Sequence, residues 1–549
     1  MFAEMKIYTM LLCVSVCALF GVAAAKTPFT GGNSDMEVVD LWKLANEKKS
    51  LLRFSTLYTA QNVRDLLSDQ EGIRKAIEWC RQTAVTHVYI ESFRNRYTAE
   101  RAALERAKRA FVDAGIDVSG CVTTTEVGKK STGWNLIDCY TDIPTQQHLQ
   151  EIFEYTASIF DEIMIDDFLF TDCECEECQA ARGDRSWAEY RSDLMVRVSK
   201  ERILEPAKVK NPNVKIIIKY PQWYDNFHNR GYEVVRETHD FDKIWVGTET
   251  RDPDNRRWGR KVQYEAYFIM RWLGAIGGEK TGGGWFDPYG TSPPTYVEQA
   301  RQTILADAKE ALLFCYGSLL RDTGPANVEK LRTEIPALFE LAEIVRGKPI
   351  KGILAPKPPN SEPHNEQYIF DFVGMLGLPL VPAAEIKDAE AAFLSVHALK
   401  DQELVPKLKR MIDMGKPLLI TDGLSDRLKD QLSLEADNVQ ILKVGGDPRS
   451  LLEIDRESLL HLREKMLRPF DVSFDAPNKV SLYLIGDNHI VIENFNDEGV
   501  DVQFRMPGLR SAENLVTLPV DGDIDLKLEG DELSAVMSPR SMVAVWISR

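Results

Sequence analysis

Residues 162–170 read Glu162-Ile163-Met164-Ile165-Asp166-Asp167-Phe168-Leu169-Phe170, a short apolar run that meets two adjacent acids and then turns apolar again. Consecutive bulky apolar residues without polar alternation describe a strand buried on both faces, as in parallel sheets covered by helices. The flanking stretches Gln147–Ile159 and Ala99–Ala114 carry apolar residues at three- and four-residue spacing, so helices are predicted beside it.

Outward from this strand, the same alternation runs from about residue 50 to 345. Strands are predicted at Leu51–Leu57, His87–Ser92, Asp117–Thr123, Glu162–Phe168, Val214–Tyr220, Lys243–Glu249, Gly282–Asp287 and Ala311–Tyr316. Eight strand–helix units of this length imply a (β/α)8 TIM barrel, with an open doubly wound sheet as the alternative. The seventh unit has the weakest pattern, because Gln263–Gly278 is helix-like and Thr281–Gly284 is rich in glycine.

Beyond Pro349 the texture changes. Lys351–Ala355, Leu378–Val381, Ala391–Val396, Pro417–Thr421 and Val439–Val444 are short strands separated by helical patterns such as Glu403–Met414, which predicts a flavodoxin-like α/β domain. Pro356-Lys357-Pro358-Pro359 follows its first strand where a glycine-rich phosphate loop would stand, so no nucleotide site is expected there. A helical linker around Glu457–Met466 leads to runs of period two at Val480–Ile485, His489–Phe495, Val500–Met506, Leu515–Val520, Ile524–Leu528 and Met542–Ile547. These predict a terminal β-sandwich. The expected organisation is a signal peptide at 1–25, the barrel at 26–347, the flavodoxin-like domain at 348–450 and the sandwich at 465–549.

At the N-terminus, Lys6, the apolar run Met10–Val22 and Ala23-Ala24-Ala25 match the charged start, apolar core and cleavage site of an export signal. A secreted or periplasmic location follows as an expectation. The apolar run is too short to span a bilayer. The net charge of −17 over 549 residues repels phosphate backbones and anionic lipid, so neither nucleic acid nor a membrane span is an expected partner.

In a TIM barrel the βα loops build the functional face, so chemistry belongs at the C-terminal ends of strands. That rule selects Glu91, Asp166 and Asp167, Lys219 and Tyr220, Glu249, and Asp287, with Trp223, Tyr224, Trp245, Trp285 and Tyr289 nearby in sequence. Carboxylates supply the acid, base or nucleophile of glycoside cleavage, and aromatic faces stack on pyranose rings. Asp166 and Asp167, bounded by apolar residues, should be partly desolvated, which raises at least one pKa toward the range of a general acid. Asp287 or Glu249 is the expected second carboxylate, with Asp287 preferred because a glycine-loosened loop carries it beside Trp285. Glu91, Lys219, Tyr220, Trp223 and Trp285 are the expected substrate binders. The bland alternative for the doublet is an ion pair with a barrel-mouth base such as Lys219.

Cys173-Glu174-Cys175-Glu176-Glu177-Cys178 supplies three soft ligands at C-x-C-x-x-C spacing, enough for most of a tetrahedral Zn²⁺ site. Cys139 is the expected fourth ligand, over Cys121, and the zinc would be structural rather than catalytic. A disulfide with free thiols is the alternative.

A strand-four acid pair followed closely by C-x-C-x-x-C, with barrel, flavodoxin-like domain and β-domain in that order, resembles the three-domain β-galactosidases of glycoside hydrolase family 42. The resemblance implies glycosidase activity, zinc at Cys173, Cys175 and Cys178, and homo-oligomerisation through the flavodoxin-like domain. Two positions depart from it. Asp166-Asp167 stands where that family has Asn-Glu, and Asp287 stands where it has a nucleophilic glutamate. A second, local resemblance is to the O-GlcNAc hydrolases, in which the first aspartate would orient the substrate's own acetamide and the second would be the acid.

The expected function is therefore glycosidic hydrolysis of a carbohydrate outside the cytoplasm, without a catalytic cofactor. Asp167 would be the acid/base and Asp166 its partner. The rivals are a substrate-assisted N-acetylhexosaminidase-type hydrolase and a non-catalytic glycan-binding protein on the same scaffold. A metal-dependent deacetylase or esterase ranks last, since no histidine ends a barrel strand.

Overall fold

The computed structural model describes residues 39–255, 257, 261–522 and 524–549. The expected signal peptide lies outside the described residues. Eight parallel strands form a closed barrel: β1 (Arg53–Tyr58), β2 (Val85–Arg94), β3 (Asp117–Val122), β4 (Glu162–Ile165), β5 (Lys215–Tyr220), β6 (Lys243–Gly247), β7 (Thr281–Phe286) and β8 (Glu310–Leu313). Each pairs with the next, and β1 pairs with both β2 and β8, which closes the ring. The glycine-rich seventh unit forms its strand, and the stretch before it folds as the helix Tyr264–Gly277.

Strand side chains alternate between barrel interior and helix layer. Ile216, Ile218 and Tyr220 of β5 face outward into the main core, whereas Ile217 packs inward with Leu57, Tyr89, Cys121, Met164, Trp245, Trp285 and Leu312. Continuing that inward parity one step up reaches Glu91, Thr123, Asp166, Lys219 and Asp287, and two steps up from Trp245, past Gly247, reaches Glu249. The chemistry-bearing layer thus rests directly on an apolar plug.

A second sheet follows, of five parallel strands: β9 (Ile353–Pro356), β10 (Leu380–Ala383), β11 (Ala392–Leu394), β12 (Leu418–Thr421) and β13 (Val439–Leu442), in the order β10-β9-β11-β12-β13. This is the flavodoxin-like order. The C-terminal part is two antiparallel sheets of four strands each, one of them joined at its edge by Ile350–Lys351 as a fifth strand. One of its strands, Glu532–Met537, escapes the sequence reading, although it pairs with both Val500–Arg505 and Ile524–Glu529. Its apolar side is built from Leu533, Ala535 and Met537, a weak signal next to Asp531 and Glu532.

Candidate active site

β4 ends where Asp166 N–H donates to the Val122 carbonyl at 3.0 Å, after which Phe168 N–H turns back to the Asp166 carbonyl at 2.7 Å. This turn delivers the doublet to the barrel mouth with its two side chains in different surroundings. Asp166 is fully engaged. Its Oδ2 accepts from Arg94 Nη2 at 2.8 Å and Thr123 Oγ1 at 3.0 Å, and its Oδ1 accepts from Asp167 N–H at 2.8 Å. Asp167 Oδ2 accepts from Lys219 Nζ at 3.0 Å, and the Asp167 side chain remains 17% exposed.

Lys219 is the hub. Its ammonium also donates to Glu249 Oε1 at 2.7 Å, stands 3.7 Å from Asp166 Oδ1, and lies 4.2 Å from the centre of the Trp285 ring. Glu249 Oε2 is buried and has no hydrogen-bond partner among the described residues. Gly247 permits this placement, because a Cβ there would come within 2.8 Å of that oxygen. Asp167 and Glu249 are therefore the two carboxyls hydrogen-bonded to one cation. The two bridged oxygens, each within about 3 Å of one nitrogen, are at most about 6 Å apart, so both carboxyls can reach one bound sugar.

Burial and neighbours separate the acids electrostatically. Burial opposes charge on Asp166, but Lys219 and Arg94 outweigh it and hold that carboxyl below its ordinary range. Burial pushes Asp167 up, Lys219 opposes the rise, and the charges of Asp166 and Glu249 add to it, leaving its carboxyl at about 8. Glu249 is raised chiefly by burial, with Lys219 pulling the other way. Like charges sharing one cation oppose each other's ionisation, and both Asp167 and Glu249 are pushed up while Asp166 is held down.

Several expected contacts resolve differently. Asp287 does not oppose Asp167: both its oxygens accept from Arg251, at 3.0 and 2.7 Å, and Oδ1 also accepts from Tyr289 N–H at 3.1 Å. Glu91 cannot bind substrate hydroxyls. It is wholly buried and accepts from Ala60 N–H, Arg94 and Thr123, bracing Arg94 against Asp166. Tyr220 faces the helix layer beside Phe227, Tyr232 and Thr238, because its parity is opposite to that of Lys219. Trp245 and Trp285 belong to the barrel plug, with Trp285 stacked on Phe314. Tyr224 points away from the mouth and donates to Asp371 at 2.9 Å.

Trp223 packs against Phe170, which stacks on Trp134, and Phe168 meets the same Trp134 ring, which is 41% exposed. Trp134 sits in the loop after β3, where no periodicity marked it. Arg94 and Arg251 also went unnoticed in the sequence, the first because β2 runs beyond its predicted end at Ser92.

Behind the doublet, Cys139, Cys173, Cys175 and Cys178 converge with all sulfurs within 4.8 Å of one another. Measured separations are 3.5 Å for Cys139–Cys178, 3.8 Å for Cys139–Cys175 and 3.7 Å for Cys175–Cys178, and all four are free thiols. Four sulfurs at ~2.3 Å from a tetrahedral Zn²⁺ stand about 3.8 Å apart, so this donor set fits that ion.

Among known proteins, the family model of probable glycosyl hydrolase catalytic domains matches residues 40–361. The model of the second domain of the uncharacterized protein SSO3021 matches residues 350–450. That protein, from Saccharolobus solfataricus, is 25% identical over 438 residues, covering 72% of this chain and 69% of its own length. Among solved structures, an exo-beta-1,4-mannosidase, Op5Man5 from Opitutaceae bacterium strain TAV5, aligns with a TM-score of 0.46 and 11% identity over 68% of this chain and 79% of that one. A Streptomyces cattleya GH5_18 structure in complex with GlcNAc aligns with a TM-score of 0.41 and 14% identity, over 60% and 92%. No helix among the described residues is long and apolar enough to cross a membrane.

Proposed function

The chain belongs to the probable glycosyl hydrolase family, and from that premise we propose that it cleaves a glycosidic bond with Asp167 as general acid/base and Glu249 as the opposing carboxylate. The observation that carries this reading is the single ammonium of Lys219 bridging the two, at 3.0 and 2.7 Å. Asp167 holds a proton at neutral pH and meets solvent, so it can hand that proton to the leaving oxygen. Glu249, with one oxygen on Lys219 and the other without a partner among the described residues, attacks the anomeric carbon. Water then resolves the glycosyl-enzyme with Asp167 acting as base.

A substrate-assisted route has less support, since neither oxygen of Asp166 is free to orient an acetamide. Asp166 instead fixes Asp167 and supplies fixed negative charge. A structural Zn²⁺ on the four clustered thiolates belongs to the same reading, supported by their spacing, and would pin the loop that follows the doublet. The test is turnover of an aryl-glycoside panel by wild type, Asp167→Asn and Glu249→Gln. Both variants should lose turnover of whichever glycoside the wild type cleaves, and full activity in either would refute its assignment.

A further inference from the structure

The second domain contains a crevice of its own. Its sheet is extended from β9 to β10 on one side and then from β11 to β13 on the other, so the chain's direction of growth switches between β9 and β11. At such a switch point the loops leaving two adjacent parallel strands diverge and leave a gap beyond their C-terminal ends, the general location of ligands in open α/β sheets. Here a cleft of about 510 Å³ opens at that position, within the size range of small-molecule sites.

One wall is the loop after β9, carrying Asn360, Glu362 and His364. The facing wall is the barrel's His228, Glu233 and Arg236. The β9 loop is held in a costly shape, since Asn360 and His364 both have left-handed backbone, with φ of +58° and +46°. Its side chains are fixed from the barrel side. Asn360 Nδ2 donates to Glu233 Oε1 at 2.6 Å, and His228 Nε2 stands 2.7 Å from Glu362 Oε1. Beneath them Ser361 Oγ meets His397 Nδ1 at 2.8 Å, joining the loops after β9 and β11. Asn360 Oδ1 is buried without a hydrogen-bond partner among the described residues. A strained, braced loop thus lines a preformed cleft, and among the described residues the buried amide oxygen of its Asn360 has no partner.

The lining selects the chemistry. Four carboxylates (Glu189, Asp193, Glu233, Glu362) face two permanent cations, Arg236 and Lys400, and Arg236 is already committed to Asp193 and Glu233. That balance disfavours phosphates and other anions, and the proline-rich turn after β9 offers no phosphate loop. Carboxylates and an amide oxygen accept from hydroxyl donors, while Lys400 and His364 can donate to them. We infer that this crevice binds a neutral polyhydroxylated small molecule, a free monosaccharide, at a site separate from the barrel mouth.

Titration calorimetry of the full chain against glucose, galactose, mannose, fucose, N-acetylglucosamine and glucose 6-phosphate tests this. At least one neutral sugar should bind below about 20 mM, and more tightly than the phosphate ester. Asn360→Gly keeps the left-handed backbone while deleting the amide, and should weaken that binding at least about tenfold without loss of glycosidase turnover. Glu362→Gln, which retains an acceptor for His228, should weaken it less and guards against a folding artefact. Trp134→Ala at the barrel mouth should leave it intact. Failure of every neutral sugar to bind, undiminished binding in Asn360→Gly, loss of binding in Trp134→Ala, or preference for glucose 6-phosphate would each overturn the inference.

Discussion

Glu249, 30 residues along the chain from Lys219, gives that lysine one carboxylate oxygen at 2.7 Å and keeps the other buried with no hydrogen-bond partner among the described residues. A buried polar atom left without a partner carries a desolvation cost. Substrate would supply what the fold withholds.

Glu249 and Asp287 end neighbouring strands but should fail differently when neutralised. Glu249→Gln keeps shape and leaves Lys219 with two carboxylates, so kcat should fall on the order of 10³-fold or more with the thermal midpoint nearly unchanged. Asp287→Asn removes the carboxylate that accepts from both Nε and Nη2 of the buried Arg251. Its loss should appear as about 3–5 kcal/mol of stability in urea titration, with kcat of the folded protein within about tenfold of wild type.

Lys219→Met removes the cation from three carboxylates. Unfolding should become easier by about 3–5 kcal/mol at neutral pH, because buried charges lose their partner. The carboxyls should titrate higher than before. The variant's stability deficit should therefore shrink as pH falls and they become protonated, which denaturation series at pH 5 and pH 8 would show.

Asp167 at about 8 gives a signed pH dependence. As an acid it must be protonated, so kcat/KM should fall as pH rises through about 8. Its folded pKa lies above its unfolded one, so its contribution to stability is fully present below about 4 and is lost as pH rises toward 8. Asp167→Asn escapes that loss. Its thermal midpoint should exceed wild type at pH 8 and match it near pH 4, while its activity falls about 10²–10⁴-fold.

The thiolate cluster should hold one zinc per chain by metal analysis. Cys175→Ser should lower zinc content and thermal midpoint together, and chelation of the wild type should reproduce both. Full zinc retention in Cys175→Ser would count against the site.

The barrel was legible because its strands are continuous apolar runs. Ile216-Ile217-Ile218 and Ile163-Met164-Ile165 announce burial on both faces, and even the glycine-thinned β7 keeps its place in the alternation. The acid doublet and the four cysteines were legible for the same local reason: the groups that act together are mostly close in sequence. What sequence could not give was facing. Tyr220 and Trp285 look like mouth aromatics until strand parity turns one outward and sinks the other into the plug. The choice between Glu249 and Asp287 depended on Arg251, whose reach across to the next strand leaves no local pattern. Trp134 lies in a loop, where position is set by tertiary packing alone.

The most direct test is intact-protein mass spectrometry after incubation with activated 2-deoxy-2-fluoro glycosides, followed by mapping of the labelled peptide. One glycosyl group should be added per chain, on Glu249, and the first-formed product should keep the substrate's anomeric configuration. A label on Asp287 or Asp166, or unlabelled turnover with inversion, would contradict that assignment.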